Sequence, residues 1–279
     1  MGSLLIDRTA NKTDPISALK TFPELVIQLH KDYIEAGAQL IQTCTFSTNR
    51  IALERANKQN EFLSLNHQAI LCAKTAIDHQ PVWLAGNVGS CGLSSSEIVR
   101  QYQEVHQSIQ NQCQLFYEEG LDLITFETIT SLIELEIILD VMDKPVQNDM
   151  KFMISVTPSE DLKLFDGTTS EIWTKRLNES RTAAIGINCI SSPTILREFV
   201  NLSKQFNKPT AIRCNSGIPV LKQDKWIYPV DENSYCVQLE WTGAINANLI
   251  GGCCGTTPDH IRNLKKYFGE IHSGTNKNF

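Results

Sequence analysis

The 279-residue sequence lacks an apolar run of the roughly 18 residues that a membrane-spanning helix needs. Its beginning lacks the basic-then-apolar pattern of a secretion signal. Met1-Gly2 starts like a myristoylation motif, but Ile6 stands where that motif requires Ser or Thr. The net charge is −6 and basic residues do not cluster, which argues against nucleic acid and anionic membranes as partners. These absences predict a cytoplasmic protein.

Two further patterns are missing. No Gly-x-Gly-x-x-Gly follows an early strand, so the signature of a dinucleotide-binding fold is absent. The nine cysteines are odd in number and dispersed along the chain, which argues against a disulfide framework. Free thiols in a reducing compartment are expected, and most of them should be small buried hydrophobic residues.

Apolar segments alternate with helical patterns along most of the chain. Near-continuous apolar strands are typical of a parallel sheet that is buried on both faces. Seven such strands are predicted, at residues 38–43, 82–85, 121–126, 152–156, 183–187, 209–212 and 247–253. The alternation favours an α/β fold of the (β/α)8 TIM-barrel type, as a single domain over 1–279, rather than a doubly wound sheet. Residues 1–22 are predicted to be irregular, so the first strand of the barrel is apparently missing.

An unusual cysteine pair, Cys253-Cys254, lies between Gly251-Gly252 and Gly255-Thr256-Thr257-Pro258. An apolar strand precedes the pair, and Thr257 with Pro258 predicts a helix start. A thiolate in such a turn feels the positive end of the helix dipole, which lowers its pKa. Adjacent cysteines form a disulfide only with strain, whereas two fixed thiolates suit a soft metal such as zinc.

Cys189 is the candidate for a third thiol at the same site. In barrels of this type the active site lies at the carboxyl ends of the strands. Cys189 ends the strand two before the one that carries the pair, so all three thiols should point into one mouth. A lone Cys189 would more often be a buried cysteine than a ligand. Three thiolates without a fourth protein ligand leave zinc an open position for a substrate thiol. Such a thiol loses its proton near neutral pH and stays nucleophilic, which predicts thiol alkylation.

The sequence resembles the homocysteine S-methyltransferase family over nearly its whole length. The resemblance is carried by residues 186–189 (Gly-Ile-Asn-Cys) and 251–258, with support from residues 33–38, 42–46, 126–128 and 166–168. It implies a zinc-dependent enzyme that transfers a methyl group to the zinc-bound thiolate of homocysteine, giving methionine. It also implies that Cys189, Cys253 and Cys254 bind Zn²⁺ and that Glu127 holds the amino group of homocysteine.

The predicted catalytic residue is Glu127, and the predicted substrate-binding residues are Gly2, Ser3, Thr43, Glu127 and Asn188. Two of these have a structural alternative. Glu127 could instead be a carboxylate bonded to backbone amides, because a buried acid without partners is costly. Asn188, like Asn215, could orient a ligand or satisfy loop backbone.

The sequence departs from the family at its beginning, where the family usually has a strand ending in Asp-Gly-Ala-Met-Gly-Thr. Met1-Gly2-Ser3 matches only the end of that motif. Because a missing strand exposes the edges of its neighbours, reduced stability or a substitute strand is expected. A non-catalytic, N-terminally shortened zinc-binding relative that serves a partner or structural role is therefore the alternative function. Redox thiols in an otherwise intact barrel are a third interpretation.

The methyl donor is left open by the motifs on the rim of the barrel. Residues 43–46, 87–90 and 214–217 differ from the family at positions expected to face the donor. No Asp-x-His-x-x-Gly motif of cobalamin proteins occurs. The donor is then either a small sulfonium, betaine or folate compound, or a methyl carrier on a separate protein.

Overall fold

The main sheet of the protein is parallel, and its strands follow the chain order. The computed structural model describes residues 1–9, 13–144, 149–222 and 225–275. Within these residues the sheet has seven strands: β1 (Leu40–Gln42), β2 (Trp83–Gly89), β3 (Leu123–Ile129), β4 (Lys151–Val156), β5 (Ala184–Ile190), β6 (Thr210–Cys214) and β9 (Leu249–Gly252). An antiparallel hairpin of β7 (Val220–Lys222) and β8 (Lys225–Ile227) is inserted after β6.

Helices lie outside the sheet and connect successive strands. They are α1 (Gly2–Arg8), α2 (Pro15–Thr21), α3 (Pro23–Glu35), α4 (Arg50–Arg55), α5 (Phe62–Ile77), α6 (Ser95–Arg100), α7 (Tyr102–Glu118), α8 (Leu132–Met142), α9 (Ser170–Glu179), α10 (Pro193–Ser203), α11 (Glu232–Thr242) and α12 (Pro258–Thr275). The alternation of strand and helix confirms the predicted α/β barrel class. Among the residues that the structure describes, no helix is both long and apolar enough to cross a bilayer.

The two faces of the strands bury different kinds of residue. Outward-facing side chains such as Phe126, Phe152 and Ile212 join the large core between the sheet and the helices. Inward-facing Met153 and Ala211 belong to a much smaller apolar cluster at the amino ends of the strands. Towards the carboxyl ends, the inward positions become polar. The barrel therefore has an apolar floor below a polar interior, and the predicted site residue Glu127 lies in this interior.

The barrel is open between its first and last strands. The ladders run from β1 to β9, and none joins β9 to β1 within the described residues. A cavity of about 470 Å³ lies between the two edges and is lined by, among others, Gln42, Met153, Arg213, Gly251, Leu264 and Phe268. An eighth strand of a closed barrel would occupy this space. The expectation that most of the first strand is missing is thus confirmed.

The prediction that residues 1–22 are irregular is wrong, because this segment contains α1 and α2. The Asp14 carboxylate accepts hydrogen bonds from the amides of Ile16 and Ser17 at 2.9 and 3.0 Å, which caps α2 ahead of Pro15. Leu5 of α1 is fully buried in a cluster with residues of α2, α3 and α5. The segment gains its order from packing on the outer helices. Its described residues, 1–9 and 13–22, supply helices and contain no substitute strand.

Acid should destabilise this fold through His30 of α3. The side chain is 1% exposed, its Nε2 has no hydrogen-bond partner among the described residues, and burial lowers its pKa from 6.5 to about 3. Because the unfolded state binds the extra proton, stability is complete above pH 6.5 and falls as pH drops towards 3. Between pH 7 and 5 this group should remove about 2 kcal/mol.

Urea unfolding at both pH values measures the effect of His30. The His30→Leu variant should lose about 2 kcal/mol less than the wild type over that range. Equal losses in the two proteins would show that His30 is not the group that titrates.

Candidate functional site

The structure brings the three predicted cysteines together at the mouth of the barrel. Their sulfur atoms all lie within 4.8 Å of one another, and Cys189 Sγ is 3.8 Å from Cys254 Sγ. Cys189 comes from the end of β5, whereas Cys253 and Cys254 follow β9. A sequence separation of 65 residues between Cys189 and Cys254 is thus closed by the curvature of the sheet.

A bulge in β5 turns the Cys189 thiol towards the pair. The pairing of β5 with β6 shifts between Asn188 and Ile190, and Cys189 lies in the left-handed region with φ 61°. Thr128 has φ 63° at a similar shift in β3. The Asn188 side chain joins the two irregularities, since it accepts from Thr128 N at 2.8 Å and donates to Thr128 Oγ1 at 2.9 Å. Backbone strain of this kind costs about 1–3 kcal/mol per residue and needs such support.

The turn that carries Cys253 and Cys254 is held by hydrogen bonds from several elements. Cys253 N donates to Cys214 O at 2.7 Å, Cys254 N donates to Asn215 Oδ1 at 3.0 Å, and Gly255 N donates to Ser3 Oγ at 3.1 Å. Gly255 has φ 78°, and a Cβ on it would overlap the ring of Tyr228. A glycine is therefore required at this position. The sulfur positions are set by the fold before any ligand binds.

The three thiols fit a tetrahedral metal ion with thiolate ligands. Zn–S bonds of about 2.3 Å at tetrahedral angles separate two sulfurs by about 3.8 Å, which matches the Cys189–Cys254 distance. Hydrogen bonds from Cys189 and Cys253 lower the pKa of Cys254 to about 3, while the same contacts raise the pKa of Cys189. Cys254 is thus the thiol that carries negative charge at neutral pH, and a soft metal would have to displace the protons of the other two thiols.

A buried polar network fills the barrel interior below the cysteines. Glu127 is 7% exposed, and its Oε1 accepts from Gln42 Nε2 at 2.8 Å and from Arg213 Nη1. Its Oε2 accepts from Asn87 Nδ2 at 3.1 Å. Arg213 Nη2 donates to Ser155 Oγ at 2.6 Å. These partners of the Glu127 carboxylate are side chains, so the alternative of a carboxylate on backbone amides does not describe it.

The other predicted substrate-binding residues have internal partners. Thr43 Oγ1 accepts from Asn87 N at 3.1 Å and lies 2.6 Å from Thr45 Oγ1. Gly2 begins α1, and a Cβ on it would lie 3.5 Å from Pro15. Ser3 Oγ accepts a hydrogen bond from the Gly255 amide in the cysteine turn. Their role in substrate binding stays a prediction, as does that of Asn188, whose side-chain amide is bonded to Thr128 through both oxygen and nitrogen.

Sequence reasoning missed Arg213, Gln42 and Tyr228 as site residues. Arg213 shares the inward face of β6 with Ala211, and a charge on a buried strand requires a partner. That rule predicts that Arg213 has a partner, but it does not identify Glu127 as that partner. Tyr228 lies beside Cys254, and burial and the cysteine charges raise the pKa of its phenol to about 12. It follows the β7–β8 hairpin, and no local pattern places such a loop residue over the cysteines.

The chain is similar to known proteins over most of its length. The sequence profile of the family described as homocysteine S-methyltransferase matches residues 1–268. Homocysteine S-methyltransferase 3 of Arabidopsis thaliana is 26% identical over an alignment of 306 residues that covers 96% of this chain and 88% of the relative. The methionine synthase of Mycobacterium leprae (strain TN) is 25% identical over 267 residues. That match covers 92% of this chain but 22% of the methionine synthase, so this chain spans only part of that relative's length.

Solved structures show the same fold. The oxidized form of the homocysteine methyltransferase MmuM from Escherichia coli has a TM-score of 0.74 at 24% identity, covering 95% of this chain and 93% of that one. Its metallated form has a TM-score of 0.71 at 23% identity, with coverage of 94% and 92%. A methyltransferase from Methanosarcina mazei has a TM-score of 0.62 at 11% identity, with coverage of 97% and 91%. The solved structures show the fold, and the profile match over residues 1–268 shows that the chain belongs to the homocysteine S-methyltransferase family.

Proposed function

We propose that the chain is a zinc-dependent enzyme that transfers a methyl group to the thiolate of homocysteine and produces methionine. The observation that carries the proposal is the cluster of three cysteine sulfurs within 4.8 Å, which offers three soft ligands and includes no fourth His, Cys, Asp or Glu ligand among the described residues. The metallated MmuM structure and the profile match support the same function.

Cys189, Cys253 and Cys254 would hold the zinc ion. When bound, zinc would lower the pKa of a substrate thiol and keep the resulting thiolate available at neutral pH. The thiolate electron pair attacks the methyl carbon, the bond from that carbon to the donor breaks, and the donor leaves with the bonding electrons. Asn215 and Ser3 position the cysteine turn through its backbone amides.

Glu127 would bind the ammonium group of homocysteine. Its Oε2 accepts one hydrogen bond, from Asn87, so this oxygen has a lone pair for a further donor. The carboxylate lies inside the barrel below the cysteines, on the side where the rest of a thiol-bound amino acid would extend. This binding fixes the sulfur for attack, and such positioning lowers the barrier by limiting the motion of the reactants.

The donor would approach over the outer rim of the mouth. The β7–β8 hairpin presents exposed apolar side chains beside Tyr228, among them Leu221 and Trp226, at 58% and 65% exposure. An apolar exposed patch at the rim suits either a donor with apolar surface or a carrier protein. The candidates from the sequence are S-methylmethionine, betaine, a folate and a corrinoid carrier on a separate protein.

The alternative function, a zinc-binding relative without catalysis, is favoured by two observations. The cavity between β1 and β9 lies where a closed barrel has its eighth strand. Arg213 also neutralises Glu127 in the absence of substrate. Redox chemistry of the thiols is the further alternative, since Cys189 and Cys254 are close.

Metal analysis and a donor panel test the proposed function together. The protein purified under reducing conditions should contain one zinc ion per chain and form methionine from homocysteine with at least one of the four donor classes. A chelator should abolish the reaction, and added Zn²⁺ should restore it. Full activity of the chelated protein would refute the zinc mechanism. Zinc binding without homocysteine binding would favour the non-catalytic alternative.

A further inference from the structure

We propose that Arg213 binds the α-carboxylate of the amino-acid thiol and so makes the site selective for a zwitterion. The inference rests on the proposed function and specifies which substrate group each side of the buried Arg213–Glu127 pair recognises. Glu127 binds the ammonium group, and Arg213 binds the carboxylate.

The position of Arg213 fits this role. In the ladder between β6 and β9, Arg213 lies opposite Gly251, two residues before Cys253. Two residues of a strand span about 6–7 Å, which an amino acid with a two-carbon thiol side chain can bridge. Gly251 has no side chain, and even a Cβ there would come within 3.5 Å of Arg213 Cγ. Residue 251 thus places no side chain beside the guanidinium stem of Arg213.

Two unpartnered polar atoms in the network indicate a ligand. Arg213 is 9% exposed, yet its Nε donates to no acceptor among the described residues. Asn87 is 7% exposed, and its Oδ1 likewise accepts no hydrogen bond from them. An unpaired buried polar atom costs about 1–3 kcal/mol, so a site that retains a donor and an acceptor in this state is prepared for complementary groups. A carboxylate satisfies the donor, and an ammonium satisfies the acceptor.

Charge balance explains why the ligand should be a zwitterion. Glu127 and Arg213 carry opposite charges and are both buried, so the network is neutral as a whole. A zwitterion adds one charge of each sign and leaves it neutral. A thiol that has only an ammonium or only a carboxylate would leave one unit of net charge in a buried site, which is costly.

The cavity between β1 and β9 gives Arg213 the necessary room. Arg213 and Gln42 both line this space of about 470 Å³. A carboxylate can therefore approach the guanidinium without displacing the barrel floor. The bond that Arg213 donates to Ser155 can hold the guanidinium in place meanwhile.

Homocysteine and two truncated analogues test the inference by calorimetry on the zinc-loaded protein. 3-Aminopropane-1-thiol lacks the carboxylate, and 4-mercaptobutanoate lacks the amino group. The wild type should bind homocysteine on the order of 10- to 100-fold more tightly than 3-aminopropane-1-thiol, the range of a charged hydrogen bond. In Arg213→Met this preference should fall to about threefold or less, since the methyl thioether offers no donor. The preference for homocysteine over 4-mercaptobutanoate should persist.

Two further variants keep the test decisive. Arg213→Lys retains the charge but not the planar fork, so it should fold if Arg213→Met does not and should show an intermediate preference. Arg176→Met is the control. Arg176 on the outer helices donates two hydrogen bonds to the Glu136 carboxylate, at 2.6 and 2.7 Å. Its loss should leave the preference for homocysteine over 3-aminopropane-1-thiol unchanged.

The outcomes separate this inference from the proposed function. If the wild type binds and methylates homocysteine but binds 3-aminopropane-1-thiol equally well, the role of Arg213 is refuted and the enzyme activity stands. An unchanged preference in Arg213→Lys and Arg213→Met would refute that role in the same way. If the zinc-loaded wild type binds no thiol, both the inference and the proposed function fail.

Discussion

Replacing Cys254 by serine should release the metal and abolish most of the methyl transfer, because a serine hydroxyl does not supply a soft anionic ligand near neutral pH. Cys254 supplies one of the three sulfurs, and its Sγ lies 3.8 Å from that of Cys189, the separation expected for two ligands of one zinc ion. The zinc content should fall from one ion per chain to a small fraction, and homocysteine binding should fall with it.

Cys72→Ser is the matched control for that prediction. Cys72 is buried in α5 outside the cysteine cluster, where its sulfur accepts from Gln68 Nε2 at 3.4 Å and its thiol donates to Pro23 O at 3.8 Å, so serine keeps a polar hydroxyl beside the same two groups. This variant should keep its zinc and its activity. Both proteins are assayed with a reductant present, so that a disulfide among the remaining thiols does not imitate the loss of metal. Retention of one zinc ion by Cys254→Ser would contradict the three-thiolate site.

Replacing Glu127 by alanine should destabilise the fold by about 3–5 kcal/mol, because it leaves the Arg213 charge buried without its partner. The Arg213 and Glu127 side chains are largely buried, at 10% and 9% exposure. The double variant Glu127→Ala/Arg213→Met should recover much of the lost stability, since replacing both partners removes the uncompensated charge. Urea unfolding of the four proteins in this double-mutant cycle measures the coupling.

An exposed ion pair gives the control for this cycle. Glu136 bonds to Arg176, and the two side chains are 40% and 39% exposed. Solvent screens such a pair, so Glu136→Ala should cost about 0–1 kcal/mol. If Glu127→Ala costs no more than Glu136→Ala, leaving the Arg213 charge without its partner does not destabilise the fold as predicted. Of these two alanine variants, only Glu127→Ala should lose homocysteine binding.

Local patterns were sufficient to predict much of the barrel. Strands β2 to β6 are largely buried on both faces, and their apolar composition indicates this without reference to their neighbours. The Gly-rich turn with Cys253 and Cys254 is also local, because Gly252 and Gly255 lie where side chains would collide with Thr256 and Tyr228. The position of Cys189 at a strand end then followed from the common orientation of parallel strands.

The first 22 residues show the limit of such patterns. The apolar positions of α1 and α2 are few, and short helices gain stability mainly from tertiary packing. The capping signal of Asp14 and Pro15 was present in the sequence, and it alone could have indicated α2. Helix α1 lacks a side-chain cap, so only its burial against α2, α3 and α5 explains its form.

The sequence by itself determined the parallel α/β barrel, the three thiols and the acid at the end of β3, because strand burial and turn chemistry are encoded by adjacent residues. Only the tertiary structure decided how the interior is charged. Arg213 meets Glu127 across 86 residues of sequence, and Gln42 reaches the same carboxylate across 85. Such partners are selected by the curvature of the sheet and by the need to pair every buried charge, and neither condition is visible in one strand alone.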